Sequence, residues 1–372
     1  LDFRRFGGTL FHRTAYAGAT TGQQLMYALD EQVRRHETEG RVRKFEYWEF
    51  LSIVQDASGE CVGLTAMNLH DMTIEAFPAG AVIVCTGGPG LVFGKSTNSI
   101  INTGAAASRC YQQGAWYANP EFIQVHPTSI PGADKLRLIS ESVRGEGGRV
   151  WVPRKKGDTR PPVEIPETER WYFLEEKFPK YGILVPRDVA TREIFEMCRQ
   201  GYGVGGERQV YLDITPERTG QKPEVLERKL GGVFEIYRKF AGDDPLQTPM
   251  RIFPGMHYSM GGLWVAPTDG ELDGRRTLKQ MTNIPGLFAA GEVDSQYHGA
   301  NRLGANSLVS CIVGGFLAGP RAVEWAKSRK QAPAAALAAE KKRQEEFHER
   351  IYKMTTGAEN ATLLHRELGQ VM

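Results

Sequence analysis

The sequence predicts an α/β fold that carries an α+β insert and continues into a helical region. Two short apolar segments, residues 81–85 and 287–290, each run into a turn that contains glycine. A strand that breaks into glycine is how α/β sheets present backbone N–H groups to a phosphate or a ribose, although either junction alone also fits an ordinary strand end. Between the two segments, from about Pro127 to Pro254, the chain becomes rich in proline and charge, which indicates an inserted domain.

Periodicity and turn residues predict the other elements in chain order. Leu25, Leu29 and Val33 recur at helical spacing, which is typical of an amphipathic helix. Taken together, the patterns predict a helix over residues 22–40, a meander of short strands over 41–80, a helix over 102–113, an exposed loop over 152–170 and a long, mostly exposed helix from 331.

Composition bounds the class of protein. The 372 residues are 41% hydrophobic and 24% charged, which is typical of a globular chain long enough for two or three domains. The net charge of +2 gives no reason to expect a nucleic-acid partner. The five cysteines stand far apart without a C-x-x-C motif, so the sequence predicts neither a metal site nor an iron–sulphur cluster.

Five motifs occur in a fixed order: "FIQVHPTSIPG" (122–132), "SESVRGEGG" (140–148), "VPRDVATR" (185–192), "MHYSMGG" (256–262) and "HGANRLGANSL" (298–308). Together they resemble the flavoprotein subunits of succinate dehydrogenase and fumarate reductase. The resemblance covers essentially the whole chain, and the segments around the second and third motifs are most similar to the menaquinone-linked bacterial branch.

The resemblance implies a domain plan. A Rossmann-like FAD-binding domain would comprise residues 1–128 and 255–328, a capping domain residues 129–254, and residues 329–372 would begin a helical domain. In this family a G-x-G-x-x-G turn for the FAD pyrophosphate and a histidine bonded covalently to the flavin precede the position of residue 1. We therefore expect an internal fragment that binds FAD weakly and never covalently.

The resemblance also assigns a substrate site. Succinate and fumarate carry two carboxylates, which arginine and histidine side chains bind well because both donate directed, charge-assisted hydrogen bonds. The residues that the family uses for the dicarboxylate correspond to His126, Ser140, His257 and Arg302, and Phe6 would pack near its other end.

The resemblance assigns the proton step to charged residues of the second and third motifs. The resemblance makes Arg187 the group that exchanges a proton with the substrate, and Glu141 and Arg144 the relay to solvent. Their three-residue spacing places Glu141 and Arg144 on one side of a helical turn. Arginine normally stays protonated, so either burial and neighbouring cations ease its deprotonation or Arg187 acts by electrostatic stabilisation.

Cofactor contacts are implied at the two glycine turns and at one helix start. Glu292 would accept hydrogen bonds from the ribityl hydroxyls of FAD, and the helix that opens after Ala305 would face the flavin pyrimidine edge. The implied cofactor-binding residues are Gly87, Gly88, Gly291, Glu292, Asn306, Ser307 and Leu308.

The resemblance implies partners as well. Electrons would leave through a separate iron–sulphur subunit to a cytochrome b membrane anchor and a quinone, which would hold the chain on the cytoplasmic face of the cell membrane. Within the superfamily, L-aspartate oxidase and soluble fumarate reductase are alternatives. A flavin-free scaffold without catalysis is the alternative from another class.

Overall fold

The computed structural model describes residues 2–4, 11–130, 132, 135–205, 207–329, 332–354 and 356–372. In chain order, the strands in these ranges are β1 (Asp2–Arg4), β2 (Thr14–Tyr16), β3 (Trp48–Gln55), β4 (Cys61–Asn68), β5 (Ile74–Pro78), β6 (Val82–Val84), β7 (Tyr117–Ala118), β8 (Ile123–Ile130), β9 (Arg137–Leu138), β10 (Arg149–Pro153), β11 (Arg170–Trp171), β12 (Val210–Asp213), β13 (Met250–Ser259), β14 (Gly262–Leu263), β15 (Gly270–Leu272), β16 (Arg275–Thr277) and β17 (Leu287–Ala289). The α-helices are α1 (Thr21–Thr38), α2 (Ala105–Gln112), α3 (Ser142–Gly145), α4 (Phe173–Lys177), α5 (Arg187–Arg199), α6 (Pro216–Thr219), α7 (Pro223–Ala241), α8 (Asn306–Lys327), α9 (Ala334–Tyr352) and α10 (Ala361–Val371).

The chain forms two compact units, each assembled from segments that are separate in sequence. The first unit takes its described residues from 1–35, 95–98 and 124–257, and the second takes them from 36–94, 99–123 and 258–372. Each unit contains both helices and strands, so the mixed α/β and α+β composition predicted from the sequence is confirmed.

The core of the first unit lies between a six-stranded sheet and two helices. The strand order is β11-β10-β12-β13-β8-β9. Val150, Leu212 and Ile252 extend from the sheet into one apolar cluster with Ile194 of α5 and Phe234 of α7, and all five are at most 3% exposed. Each such side chain contributes about 1.5–3 kcal/mol through burial, so this cluster fixes the sheet that carries β8 and β13.

Helix α7 shows why this sequence folds onto that sheet. Leu226, Leu230 and Phe234 recur every four residues and are buried, which gives the helix one apolar face. Pro223 stands at the first turn, where its missing N–H costs nothing, and Gly242 ends the helix at a φ of +84°.

The second unit contains the two strands that were predicted to precede the glycine turns. Strands β6 and β17 pair in parallel, with Val82 opposite Leu287. Because parallel strands end at the same sheet edge, the turns that follow them lie together there. Strands β3, β4 and β5 form the expected antiparallel meander in the same unit.

Two local predictions differ from the structure. The helix predicted from residue 102 begins at Ala105, because Gly104 caps it in a left-handed conformation at a φ of +74°. The prediction of an exposed loop over residues 152–170 is wrong in part: Val152 lies in β10, and Ile165 is fully buried in a cluster with Trp151 and Tyr211. Proline and charge give the segment a loop-like composition, but Val152 and Ile165 are buried in the core while Val163 stays exposed.

The predicted helices at the two ends of the chain are present. Helix α1 covers most of residues 22–40, and α9 begins at Ala334 and leaves most of its residues exposed. Helix α9 packs against β3, β4 and β5. Among the described residues, no helix combines the length and the apolar character that crossing a membrane requires.

Candidate active site

Three charged side chains form a continuous buried network in the first unit. The Glu141 carboxylate accepts hydrogen bonds from Arg187 Nη2 at 2.5 Å and Nε at 3.1 Å, and from Arg144 Nη2 at 2.7 Å. The side chains of Glu141 and Arg144 are 2% and 1% exposed, and that of Arg187 is 10% exposed. The structure therefore brings together the three residues predicted for proton transfer, with the glutamate between the two arginines.

Helix starts position the members of this network. Arg187 is the first residue of α5, where the positive end of the helix dipole would repel a cation, and the Glu141 carboxylate offsets that repulsion. Glu141 immediately precedes α3, and Arg144 lies within it. Arg144 Nη1 also donates to the carbonyl oxygen of Val185 at 2.9 Å, which ties α3 to the segment that leads into α5.

The network fixes the charge of its members. Burial by itself would raise the pKa of Glu141, but the charges of Arg187 and Arg144 outweigh it, so the pKa of Glu141 lies below its ordinary value. Burial lowers the pKa of Arg144 below its ordinary value, although Glu141 opposes that effect. Glu141 thus stays ionised. Arg144 binds its proton less tightly than an exposed arginine does, because it is buried.

Two histidines predicted to bind substrate lie side by side in the same unit. His126 on β8 is 1% exposed, and His257 on β13 is half-buried. Their ring centroids lie 5.0 Å apart, with the rings inclined at 67°. Ser140, also predicted for the substrate, is half-buried, and its Oγ accepts a hydrogen bond from the Ser142 N–H at 3.2 Å.

Sequence reasoning missed two polar contacts in this unit. Arg187 Nη1 donates to Gln124 Oε1 at 2.8 Å. Gln124 stands two residues before His126, and the two-residue repeat of a strand puts both on one face of β8, a signal that could have found it. Thr97 Oγ1 lies 2.8 Å from His257 Nδ1, and no sequence pattern links two residues that are 160 positions apart.

In the second unit, the glycine turn after β6 rests on Glu292. A Cβ on Gly88 would stand 2.7 Å from Glu292 Oε1, so any larger residue there would have to displace this carboxylate. The same Oε1 accepts the Ser259 N–H at 2.9 Å, which fixes the carboxylate. Gly87 adopts a φ of +74°, and a Cβ there would meet the Asn102 amide. This close packing of backbone and carboxylate suits the polyhydroxyl chain and phosphates of a dinucleotide.

Helix α8 begins beside the turn after β17. Ala305 precedes it in a left-handed conformation at a φ of +67°, so the backbone turns sharply before Asn306, Ser307 and Leu308 open the helix. Gly291 and Gly314 let the helix approach the strand end, because a Cβ on Gly314 would lie 3.3 Å from the Ala290 Cβ. The first-turn N–H groups of such a helix favour an anion or a ring oxygen.

Arg302 belongs to a polar and aromatic cluster in the second unit. Its guanidinium carbon lies 4.7 Å from the centre of the Tyr258 ring, and the His298 ring contacts the same tyrosine at 5.4 Å. His298 Nε2 lies 3.2 Å from Ser310 Oγ, which donates to the Ser307 carbonyl oxygen. Burial, reinforced by Arg302, lowers the pKa of His298 to about 4, so His298 is neutral at pH 7. The "HGANR" motif contains this histidine, but sequence reasoning gave it no role.

A second buried acid, Asp294, was also missed. It is 4% exposed, and its carboxylate accepts hydrogen bonds from Gln280 Nε2 at 3.0 Å and from the Gln296 N–H at 3.1 Å. Burial raises the pKa of Asp294 to about 7. Phe6, predicted to contact substrate, lies outside the described residues.

Each unit offers distinct chemistry. The first unit combines imidazoles and guanidinium groups that can neutralise carboxylates with a chain of ionisable groups that can exchange a proton. The second unit combines a glycine-lined sheet edge, a fixed carboxylate and a helix start, which fit a dinucleotide.

Comparison with known proteins identifies the family to which the chain belongs. The family model described as "FAD binding domain" matches residues 1–308. The chain is 58% identical to the succinate dehydrogenase flavoprotein subunit of Bacillus subtilis, covering 100% of this chain and 60% of that protein. It is 33% identical to the fumarate reductase flavoprotein subunit of Escherichia coli, covering 100% of this chain and 58% of that protein.

A solved structure agrees with the sequence relatives. The E. coli quinol fumarate reductase structure matches with a TM-score of 0.81 at 30% identity, covering 100% of this chain and 60% of that one. The chain therefore spans about 60% of the length of the relatives it matches. It belongs to the FAD-binding domain family, and along its whole length it is similar to the flavoprotein subunits of succinate dehydrogenases and fumarate reductases.

Proposed function

We propose that this chain carries the dicarboxylate chemistry of a flavoprotein subunit that interconverts succinate and fumarate. The observation that carries the proposal is the buried Arg187–Glu141–Arg144 network, which lies in the same unit as the paired imidazoles of His126 and His257. Succinate becomes fumarate by loss of a proton from one carbon and a hydride from the next. A site for this reaction needs cations for two carboxylates and a group that accepts a proton.

The proton has a defined route in this proposal. Arg187 exchanges the proton with the substrate carbon, and Glu141 accepts hydrogen bonds from both Arg187 and Arg144. When one of the two guanidinium groups loses a proton, the buried carboxylate and the other guanidinium group remain as a balanced ion pair. Arg144, whose pKa burial lowers, then passes the proton onward.

Carboxylate binding is proposed for His126, His257 and Ser140, and for Arg302 on its chemistry as a planar, bidentate donor. Truncating any one of them should weaken dicarboxylate binding. Their charge and directed N–H groups orient the substrate so that only one C–H bond faces the proton acceptor.

The chemistry of the residues proposed for cofactor binding suits FAD. When bound, FAD supplies the acceptor for the hydride. Glu292 would accept hydrogen bonds from hydroxyl groups of the cofactor, and Gly87, Gly88 and Gly291 would let the backbone approach it. The start of α8 at Asn306, Ser307 and Leu308 would favour negative charge on the ring system.

We further propose that the complete protein works in a membrane-associated complex. Its relatives are described as flavoprotein subunits, and the family resemblance implies an iron–sulphur subunit and a cytochrome b anchor that pass electrons to a quinone of the menaquinone type. Such a complex would place the flavoprotein on the cytoplasmic face of the cell membrane.

The test uses the complete flavoprotein purified with its partner subunits. We expect bound FAD and reduction of an artificial electron-accepting dye that depends on succinate, with no reduction when L-aspartate replaces succinate. Dye reduction with L-aspartate instead would favour an aspartate oxidase. FAD-loaded protein that reduces dye with neither substrate would overturn the proposal.

A further inference from the structure

The proposed proton route ends at a side chain that bulk water does not reach. The Arg144 side chain is 1% exposed, and its Nη1 donates to the carbonyl oxygens of Val185 at 2.9 Å and Ile183 at 3.4 Å. Its Nε is buried and has no hydrogen-bond partner among the residues that the structure describes. A proton that arrives at Arg144 therefore needs a further acceptor before it reaches solvent.

A cavity of about 670 Å³ borders the segments that hold this arginine, within the first unit. Gly145 and Glu146, which directly follow Arg144 in the chain, form part of its wall. Leu184 forms another part, and it stands between the two residues whose carbonyl oxygens accept from Arg144 Nη1. The cavity wall includes Ser142, Gly145, Glu146, Leu184, Arg228 and Lys229, and residues that precede α1 complete it.

The backbone holds Glu146 at this wall in a fixed relation to the arginine. The Glu146 N–H donates to the Ser142 carbonyl oxygen at 2.9 Å, and the Gly147 N–H donates to the Arg144 carbonyl oxygen at 3.1 Å. The Gln221 side-chain amide donates to the Glu146 carbonyl oxygen at 2.7 Å. Gly147 adopts a φ of +104°, which a glycine adopts without strain. The turn after α3 therefore places the Glu146 side chain two residues from the end of the proton route.

Charged side chains at the surface make the cavity suited to water. The Glu146 carboxylate accepts a hydrogen bond from Lys229 Nζ at 2.6 Å, and these side chains are 24% and 40% exposed. Arg228 is exposed as well. Polar cavities hold water, which occupies ~30 Å³ per molecule in the liquid, so this cavity has room for a chain of water molecules. Such chains can carry protons to and from ionisable side chains.

We propose that this cavity is the solvent end of the proton route, where water accepts the proton from Arg144 and Glu146 is a positioning residue that orders this water. The inference rests on the proposed function and extends it beyond Arg144. In each oxidation of succinate, one N–H bond of Arg144 breaks and one O–H bond forms on a cavity water. The proton from the substrate carbon, passed through Arg187 and Glu141, restores the N–H bond. Reduction of fumarate reverses these steps.

The first test is high-resolution X-ray diffraction from crystals of the complete FAD-loaded complex. We expect ordered water molecules in the cavity, hydrogen-bonded in an unbroken chain from Arg144 past Glu146 to the surface. A cavity that other parts of the complete protein fill would overturn the inference. So would a cavity without water within hydrogen-bond distance of Arg144.

The second test uses kinetics of Leu184 variants, because this half-buried side chain lines the cavity and takes no part in the proposed substrate site. Leu184→Trp adds a bulky ring that should displace the water. We expect turnover with succinate to fall about tenfold or more, with a KM that changes less than about threefold. The solvent deuterium isotope effect on turnover should rise, because proton release becomes slower than the other steps.

Two comparisons accompany this variant. Leu184→Met conserves the volume of the side chain and should behave as wild type. Malonate has two carboxylates but lacks the adjacent carbons that the reaction oxidises, and its affinity should be equal in all three proteins. Glu146→Gln keeps the shape of the side chain but removes its charge, so turnover should fall about threefold to tenfold with an unchanged KM.

Kinetic outcomes can overturn the inference as well. Leu184→Trp protein that binds FAD and retains the wild-type rate and isotope effect would do so, as would Glu146→Gln protein with the wild-type rate. If Leu184→Trp does not fold, the diffraction result and Glu146→Gln decide the question. A wild-type complex that does not reduce dye with succinate would instead overturn the proposed function.

Discussion

Two buried carboxylates, one in each unit, have opposite pKa shifts. Glu141 and Asp294 are 3% and 4% exposed, so water reaches neither. Glu141 lies between two guanidinium groups, and its pKa is lowered. Asp294 has a neutral amide and a backbone N–H as partners, and burial raises its pKa to about 7.

The difference shows that, at similar burial, the charge of the hydrogen-bond partners decides whether these two acids have a raised or a lowered pKa. A guanidinium group offsets the free-energy cost of removing a carboxylate from water, whereas a neutral donor offsets only part of that cost. Glu141 is therefore a permanent charge that can organise a proton route, and Asp294 is an acid that changes its charge near neutral pH.

The largest expected effect comes from breaking the charged network. Glu141→Gln leaves two arginines facing each other, one of them fully buried, without the carboxylate that balances them. We expect the free energy of unfolding to fall by about 3–5 kcal/mol at pH 7, measured by urea denaturation. The matched control is the same glutamate-to-glutamine change at Glu176, which pairs with Arg154 on the surface; these side chains are 47% and 49% exposed. We expect that change to lower the free energy of unfolding by less than about 1 kcal/mol.

The pH dependence of this effect has a definite sign. Because the folded-state pKa of Glu141 is lowered, its contribution is present above the ordinary pKa of a glutamate and is lost as pH falls through the lowered value. The deficit of the Glu141→Gln protein should therefore shrink in acid. A deficit that is equal at pH 7 and pH 3 would show that the network is not held by charge.

The opposite sign is expected at Asp294. Its folded-state pKa is raised, so the unfolding free energy of the wild type falls as pH rises from the ordinary pKa of an aspartate and levels off above about 7, where the buried carboxyl has ionised. Relative to wild type, Asp294→Asn should gain roughly 2–4 kcal/mol of unfolding free energy between pH 5 and pH 9. Urea denaturation across that range measures the difference, and a difference that does not change with pH would contradict the assignment.

A smaller effect is expected at the amide that supports Asp294. Gln280 Nε2 donates to this carboxylate, and the hydrogen bond partly opposes the effect of burial. Gln280→Met removes the donor, so the folded-state pKa of Asp294 should rise further, and the pH at which the loss of stability levels off should move upward. The same urea denaturation series across pH measures this shift. A shift of that pH downward would show that the Gln280 amide does not favour the ionised form of Asp294.

Much of the fold follows from local patterns. The strands β6 and β17, a meander within residues 41–80 and the helices α1 and α9 could be predicted because period, glycine turns and composition act over a few residues. The parallel pairing of β6 with β17 could not, because it joins segments about 200 positions apart. Ile165 was missed because its burial depends on Trp151 and Tyr211, which composition does not reveal.

The candidate site divides in the same way. Glu141 and Arg144 could be paired from their spacing, and the contact is present. The meeting of Thr97 with His257 and of Asp294 with Gln280 depends on chain segments brought together by the fold, so no local pattern indicates them. Roles in binding and catalysis stay predictions that only the complete enzyme can test.

The central claim is that Arg187 transfers the proton, and Arg187→Lys tests it most directly. Lysine keeps the positive charge but loses the planar fork that reaches both Glu141 and Gln124. The matched control is Arg192→Lys on the same helix, where the arginine is 69% exposed. Both variants of the complete enzyme are assayed for succinate-dependent turnover and titrated with malonate through the flavin spectrum.

We predict that Arg187→Lys lowers turnover by at least about a hundredfold, because a proton group displaced by about 1 Å costs that much in rate. Malonate affinity should change only modestly, since the residues proposed to bind the carboxylates, His126, His257 and Arg302, do not include Arg187, and Arg192→Lys should behave as wild type. If Arg187→Lys retains about a tenth or more of normal turnover, Arg187 does not carry the proton.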